Sequence, residues 1–270
     1  GRWKYINLMN CSLIISTYNR PDALELTLKS ILHQSILPNE ILIADDGSDE
    51  KTKLIIDKYI ASSPVKIIHC WHEDKGFRLA KIRNRALLKA EYEYIIQIDG
   101  DVILHRDFIK HHLFFAKKGY FSRGSRVELT KSATDFILKN NNIPSFYETS
   151  QFENYKISNG KSSGFMRYLL RLLRKPSNGV LGCNMAYFLS DAKKINGFNN
   201  DFEGWGAEDD DFSTRLINSG VKMQTIKFGA ILYHLWHKIA SRDQFDVNMK
   251  LLDQVKSSQT TYCINGMNQI

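Results

Sequence analysis

Four short apolar runs, each closed by a polar cluster, constrain the first hundred residues more than any other feature. They are "CSLIIS" (Cys11 to Ser16), "EILIAD" (Glu40 to Asp45), "VKIIHC" (Val65 to Cys70) and "YIIQI" (Tyr94 to Ile98). Runs this short and this apolar read as strands buried on both faces. Between the first two, Pro21 opens a segment in which Leu24, Leu28, Ile31 and Leu32 recur at helical spacing. Ser48 is placed as the N-cap of a second helix, with Asp49 and Glu50 in its first turn. Leu79 to Ala90 reads as a third helix. Strand alternating with helix predicts an α/β fold: a mostly parallel sheet with helices on both faces. Ligands of such sheets bind beyond the carboxyl ends of the strands. The residues just past the four runs are Thr17-Tyr18-Asn19-Arg20, Asp45-Asp46-Gly47-Ser48, Trp71 to Arg78 and Asp99-Gly100-Asp101. The polar content therefore converges on the edge where a site belongs.

At 270 residues, 43% hydrophobic and 24% charged, the chain suits one large globular domain. The formal net charge of +8 admits an anionic partner: nucleic acid, an anionic membrane surface or a phosphorylated substrate. The basic residues are scattered and acids crowd the predicted ligand edge, which argues against nucleic acid. No apolar run approaches the roughly 20 residues of a membrane span, and the N-terminus lacks a secretory pattern. The expected location is the cytoplasm, at most at the inner face of the cell membrane. Met9 is a candidate native start, with Gly1 to Leu8 an upstream extension or a cloning scar. Cys11, Cys70, Cys183 and Cys263 are widely separated without CxxC spacing, so buried reduced thiols are expected rather than a zinc site.

The second half is less regular. Tyr120 to Asn178 is polar and reads as a long insertion with little structure of its own. Gly179 to Ser190 returns to strand-like texture, and Met223 to His237 follows as strand material. Ser241 and Gln244 form a capping-box pattern ahead of a last amphipathic helix, Phe245 to Val255. The expected organisation is one domain in four parts: a regular first half (9–118), the insertion (119–178), a second half (179–240), and a C-terminal helix and tail (241–270).

Asp99 and Asp101 flank a glycine at the end of the fourth run. Two carboxylates so spaced suit a hard divalent cation that also holds a diphosphate. Gly100 would leave room for a substrate to approach the backbone. Asp and Gly also favour plain turns, but the position on the ligand edge favours a site.

With these pieces in place the chain resembles a family. "ISTYNRP", "IADDGS", "KGFRLAKIRNRAL" and "IQIDGD" occur in the order and spacing of family 2 glycosyltransferases of the GT-A fold. "GWGAEDDDFSTRL" (Gly204 to Leu216) looks like the acceptor-side motif of galactosyl- and N-acetylgalactosaminyltransferases. The combination is similar to the transferase domains of bacterial chondroitin polymerase. It covers roughly Cys11 to Leu113 and Gly179 to His237, and leaves Tyr120 to Asn178 uncovered. The resemblance implies that Thr17, Tyr18, Asn19 and Arg20 line the nucleotide pocket, with Tyr18 against a base and Arg20 toward a phosphate. It implies that Asp45 accepts from the uracil N3–H, with Asp46 a structural or ribose neighbour. Asp99 would meet ribose hydroxyls or metal-bound water, and Asp101 the metal. Lys75, Arg78 and Arg83 add positive charge for a diphosphate, and Asn84 would tie helix to loop.

One carboxylate leaves a hard cation short of ligands. His234 and His237 are three apart, so on a strand only one can face the site; the resemblance favours His234, and imidazole suits Mn²⁺. His33, His69 and His72 have no comparable setting, and His111-His112 reads as structural or exposed. In the acid run, Gly206 breaks the chain, and Phe212, Leu216 and Ile217 then recur helically. The acids are thus the first turn of a helix, where its dipole favours them. Asp211 and Arg215, at i and i+4, form an expected surface pair. Asp209 shares a stripe with Phe212 and Leu216, faces the protein body, and is the candidate general base. Glu208 and Asp210 are placed to bind a sugar acceptor, and Trp205 offers its ring a flat face.

The expected function is an inverting, metal-dependent transfer of galactose or N-acetylgalactosamine from a UDP-sugar. The acceptor would be a saccharide or lipid-linked saccharide of bacterial surface polysaccharide synthesis, and the ion Mn²⁺ or Mg²⁺. Two other readings remain open: a metal-dependent nucleotidyltransferase and a non-catalytic nucleotide-sugar-binding protein. "GFMRYLLRLLRK" (164–175) carries Arg167, Arg171 and Arg174 on one helical stripe. It is either a packed helix with a solvated basic face or a peripheral membrane contact.

Overall fold

The computed structural model describes residues 9–143, 168, 180, 182–238 and 241–270. The four apolar runs form β1 (Cys11–Thr17), β2 (Glu40–Asp45), β3 (Lys66–Trp71) and β4 (Tyr94–Asp99). Helices α1 (Pro21–Leu32), α2 (Glu50–Ser62) and α3 (Leu79–Lys89) lie between them in the chain. The second helix is capped one residue later than expected. Asp49 accepts from the Thr52 N–H, while Ser48 Oγ accepts from the Asn19 N–H.

The four strands pair in parallel in the order β3-β2-β1-β4. They continue into β8 (Asn184–Phe188), β6 (Tyr120–Arg123) and β9 (Lys222–Thr225). Only β8 runs antiparallel to its neighbours. Alternation along β1 explains the two buried faces. Leu13 and Ile15 pack with Leu24 and Leu28 of α1, and Ile14 packs on the other face with Ala80 and Leu87 of α3. The chain runs outward from β1 toward β3 and returns to β4 on the other side. The topological switch point therefore lies between β1 and β4.

A second sheet, β5-β10-β7, stands beside the first: β5 (Val102–Leu104), β7 (Ser125–Glu128) and β10 (Ile231–His234). Its β5 edge is covered by hydroxyls of α1. Thr27 Oγ1 donates to the Val102 C=O and accepts from its N–H, and Ser30 Oγ accepts from the Leu104 N–H. Such covering blunts an exposed strand edge. The remaining helices among the described residues are α4 (Phe108–Phe115), α5 (Lys131–Asn140), α6 (Leu189–Lys194), α7 (Glu208–Asn218) and α8 (Phe245–Ser258), with a 3₁₀ turn at Met267–Gln269.

Two expectations change here. The stretch from Tyr120 to Asn140, read as part of a weakly structured insertion, supplies β6, β7 and α5. Its strands carry little sequence signal because each is only four residues long and mixes buried with half-buried positions, alternating only in β7. Residues 144–178, the basic segment 164–175 included, lie outside the described residues, apart from Tyr168. The capping box before α8 does not form: Gln244 is the N-cap and makes no side-chain capping bond. The four cysteines are free and buried, as expected. Among the described residues, no helix is long and apolar enough to cross a membrane.

The two sheets are pinned together by buried polar groups from α4. His111 Nδ1 accepts from the Ala230 N–H. His112 Nε2 meets Asn184 Oδ1 at 2.9 Å, and Asn184 donates to the carbonyls of Ser125 and Ala230. Burial depresses the His112 pKa from its ordinary 6.5 to about 4. A depressed pKa means that the unfolded chain binds the proton first, so this contribution is intact above pH 6.5 and lost as pH falls toward 4. Urea titrations at pH 7 and pH 5 should show a drop in stability that His112→Gln reduces. Equal drops in the two proteins would remove His112 from the acid response.

Candidate active site

The switch point brings the Asp99-Gly100-Asp101 turn against the end of β1. Gly100 donates its N–H to the Ser16 C=O at 2.7 Å. A Cβ on Gly100 would stand 3.0 Å from that oxygen and from Thr17 Cβ. The space that glycine provides is thus taken by the chain's own β1, not kept for a substrate as expected. The two carboxylates of the turn diverge, Asp99 toward α3 and Asp101 toward β10.

Around Asp101 a donor set assembles. Its Oδ2 accepts from Arg20 Nη1 at 2.9 Å, so Arg20 holds this carboxylate instead of facing open space for a phosphate. His234 Nε2 lies 3.5 Å from Asp101 Oδ1, and His237 Nε2 lies 3.4 Å from Oδ2. One ligand atom from each of Asp101, His234 and His237 falls within 4.8 Å of the others. Strand alternation had allowed only one of these histidines. It fails because β10 ends at His234. Beyond it, the Leu235 N–H donates to the Asp101 C=O and the Trp236 N–H to Thr134 Oγ1. Those two bonds turn the chain so that His237 also meets Asp101. On the far side of His234, Glu128 Oε2 lies 3.5 Å from Nδ1. Asp101 Oδ1 is buried without a hydrogen-bond donor. One carboxylate with an open oxygen and two imidazoles fit a first-row divalent ion, so the residues present fit the expected metal.

The acid run starts α7, and the turn before it is sharply wound. Gly204, Gly206 and Ala207 all have positive φ, at 73°, 101° and 73°. For Ala207 this is an unusual conformation. The helix then presents its acids in different directions. Asp209 Oδ1 accepts from Arg83 Nη1 at 2.7 Å, and Glu208 Oε1 lies 3.3 Å from the same nitrogen. Arg83 Nη2 reaches Asp99 Oδ1 at 3.3 Å, and its Nε donates to Ser16 Oγ at 3.1 Å. Only 1% of Arg83 is exposed. Burial opposes its charge, but Asp209, Asp99 and Glu208 outweigh that and hold it firmly protonated. Burial pushes the Glu208 carboxyl well up, reinforced by the Asp209 charge and opposed by Arg83. Burial likewise raises Asp99, with Arg83 opposing and the charges of Asp101 and Asp209 adding.

This geometry revises several roles. Arg83, expected near a diphosphate, lies beneath the carboxylates and joins them. Glu208, expected to face an acceptor, is buried on Arg83. Asp209 is half-buried, and Asp210 is the exposed member. Asp211 and Arg215 form a wholly buried pair, at 2.6 Å and 2.9 Å, not a surface one. Trp205 carries Arg242 over its ring at 4.9 Å and lies near Phe245, so its apolar surface is partly taken. Gly182 backs the site from the other side: a Cβ there would stand 1.5 Å from Asp209 Oδ2.

The expected donor edge is preorganised by side chains the sequence did not flag. Asp45 is fully buried, with Oδ1 accepting from the Ser48 N–H and Oδ2 meeting His69 Nε2 at 2.8 Å. It therefore presents no exposed edge to a base. Asp46 meets His72 Nε2 at 2.6 Å and accepts from the Arg78 N–H. His69 and His72 thus have partners after all. The signal was available: both follow from β3, next to β2, whose end carries the two aspartates. Thr17 is buried, its C=O accepting from the Asp46 N–H. Asn19 takes a left-handed φ of 47°, and its Oδ1 accepts from the Asp49 N–H. Tyr18 is exposed, and its hydroxyl donates to Asp74 at 2.8 Å. Lys75 pairs with Glu73, and Arg78 donates to the Glu73 C=O. Asn84 does tie helix to loop, bonding both N–H and C=O of Phe198.

Comparison with known proteins now adds to the geometry. Residues 12–194 match the model of "Glycosyl transferase family 2", and residues 172–238 that of "N-terminal domain of galactosyltransferase". The chain is 25% identical over 250 residues to chondroitin synthase of Escherichia coli, covering 86% of this chain and 35% of that protein. It is 28% identical to chondroitin synthase of Pasteurella multocida, covering 83% of this chain and 24% of that protein. It therefore spans only about a quarter to a third of those relatives. Staphylococcus aureus TarS 1–349 superposes with a TM-score of 0.60 at 20% identity, over 93% of this chain and 68% of TarS 1–349. A mannosyltransferase from Pyrobaculum calidifontis, solved with GDP-Man and Mn²⁺, superposes with a TM-score of 0.59 at 18% identity, over 87% of this chain and 59% of its own. The GT-A fold is the shared architecture.

Removing one partner from a buried ion network leaves uncompensated charge and costs about 3–5 kcal/mol. Arg83→Leu should lose stability on that scale in urea unfolding. An unchanged midpoint would mean that the network contributes nothing net.

Proposed function

The chain belongs to glycosyl transferase family 2 and is a glycosyltransferase, and from that premise we propose the reaction it performs. The donor is a UDP-sugar, with galactose or N-acetylgalactosamine favoured. The acceptor is a hydroxyl of a saccharide or lipid-linked saccharide in surface polysaccharide synthesis. Transfer proceeds by one displacement with inversion at the anomeric carbon. Family membership sets aside the nucleotidyltransferase and the non-catalytic binding readings.

The observation that carries this reading is the Arg83 bridge. It joins Asp209, in the galactosyltransferase-like segment, to Asp99, in the turn that also holds Asp101. Acceptor-side and donor-side acids thus occupy one site. Asp209 takes the proton of the attacking hydroxyl, and Asp210 and the edge of Trp205 help to seat the acceptor. Asp101, His234 and His237 would hold Mn²⁺ or Mg²⁺, with Asp99 beside them. Such an ion neutralises charge on a departing diphosphate. Thr17, Tyr18, Asn19, Asp46 and Arg78 form the nucleotide-facing edge, while Arg20 holds Asp101. The names of the relatives, chondroitin synthases among them, support a sugar donor and a glycan acceptor. The TarS structure with UDP supports a uridine nucleotide.

A panel of UDP-sugars with Mn²⁺, read by UDP release in the presence of saccharide acceptors, should identify the donor. In the same assay Asp209→Asn should bind UDP as well as the wild type and lose transfer by at least about 100-fold, the scale of general base catalysis. Normal turnover in that variant would reject Asp209 as the base. Separately, titrating Mn²⁺ with UDP bound should show at least tenfold weaker binding in Asp101→Ala and in His237→Ala. Unchanged binding in His237→Ala would leave His234 as the histidine ligand.

A further inference from the structure

A cavity of about 500 Å³ opens beside the acceptor-side turn, and neither Asp209 nor Trp205 lines it. Its walls come from the loop after β3, the 200–204 loop, the start of α8 and the C-terminal tail. The volume falls within the range of roughly 300–1,000 Å³ typical of small-molecule sites. We propose that it is a subsite for an uncharged sugar residue of the acceptor, one placed beyond the residue that receives the transfer. The proposal rests on the saccharide-acceptor reading above.

The lining chemistry selects the ligand class. Gln244 and Asn265 each offer a donor and an acceptor, and Asn200, whose two N–H groups are engaged, offers an acceptor, as a ring of hydroxyls requires. Two of these amides are already oriented. Asn200 accepts from Asn84 Nδ2 and donates to Asn265 Oδ1 and the Gly266 C=O. Asn265 donates to Asp201. Phe77 and Val247 are 36% and 52% exposed and give apolar contact for the C–H face of a sugar ring.

Charge excludes the other candidates. Asp201 and Glu203 line the cavity, and Lys75, the one cation among its described lining residues, is paired with Glu73 at 3.0 Å. A phosphate, a nucleotide or a hexuronate would meet net negative charge there, which discriminates by repulsion. The donor is therefore not its ligand, and an acidic glycan is disfavoured.

Position links the cavity to transfer. Asn248, 1% exposed, donates from Nδ2 to the carbonyls of Glu203 and Gly206, both at 3.0 Å. The Gly204 N–H donates to the Phe77 C=O at 2.9 Å. The backbone that walls the cavity is the same backbone that winds into Glu208 and Asp209. A sugar bound there lies along the acceptor side of the base.

The test uses the full chain, the donor found active and Mn²⁺. Acceptors are a neutral hexose–N-acetylhexosamine tetrasaccharide, the matching monosaccharide, and a tetrasaccharide of the same length bearing hexuronate. The neutral tetrasaccharide should show a KM at least tenfold below that of the monosaccharide, and below that of the acidic chain. Val247→Trp, at an exposed position, should erase the advantage. It should leave kcat, the monosaccharide KM and acceptor-free UDP release unchanged. Asp201→Lys with Glu203→Lys should shift preference toward the acidic chain. A neutral-chain advantage untouched by Val247→Trp, or a wild-type preference for hexuronate, overturns the subsite and leaves the acceptor reading standing. UDP release without transfer to any of the three saccharides overturns the acceptor reading, and the subsite with it.

Discussion

A single buried guanidinium holds the site in one piece. Arg83 reaches from α3 to Ser16 on β1, Asp99 at the end of β4, and Glu208 and Asp209 on α7. These elements come from both halves of the chain. Burying an ion costs several kcal/mol unless its partners compensate. Three carboxylates compensate it, and none of them can leave without exposing that cost. The sheet, α3 and the first turn of α7 are therefore fixed relative to one another by electrostatics as well as by apolar packing. The neighbouring Asn84 does the same for the backbone at Phe198.

The fold was legible because its signals are local. Apolar runs of strand length, Pro21 at a helix start and acids at helix openings each report on their own surroundings. The Arg83 network was legible in part and misread. On α3, Ala80, Arg83, Asn84 and Leu87 share the helical spacing of a buried stripe. On α7, Glu208, Asp211, Phe212, Arg215 and Leu216 do the same. Charged residues at core positions of a periodic pattern indicate buried ion networks. Reading Arg83 as a phosphate contact and Asp211–Arg215 as a surface pair ignored the stripe in favour of the residue type.

Other features have no local signal. His237 reaches Asp101 only because β10 ends and two backbone bonds redirect the chain, so period-two reasoning stops one residue too early. Asp45 and Asp46 find His69 and His72 through strand adjacency, which requires knowing the strand order first. The strands β6 and β7 are short, polar and closed by non-local pairing. Their identity depends on β8, β9 and β10 being in place.

The local negative charge of a basic chain acquires a physical role from this arrangement. Asp99, Asp101, Glu208 and Asp209 share two guanidinium groups, Arg20 and Arg83. One arginine divided among three carboxylates orients them without neutralising them all. The start of α7 adds helix-dipole stabilisation of about 0.3–1 kcal/mol per exposed acid, and of the three acids on Arg83, Glu208 takes the most buried position. A carboxylate held by a shared partner, backed by Gly182 and left half-exposed, keeps a fixed direction and access to a hydroxyl. In the proposed reaction, directional hold and residual charge are both needed at Asp209. A private ion pair such as Asp211–Arg215 provides the first and removes the second. The contrast between these two acids, two residues apart on one helix, separates the proposed base from a structural acid within the run.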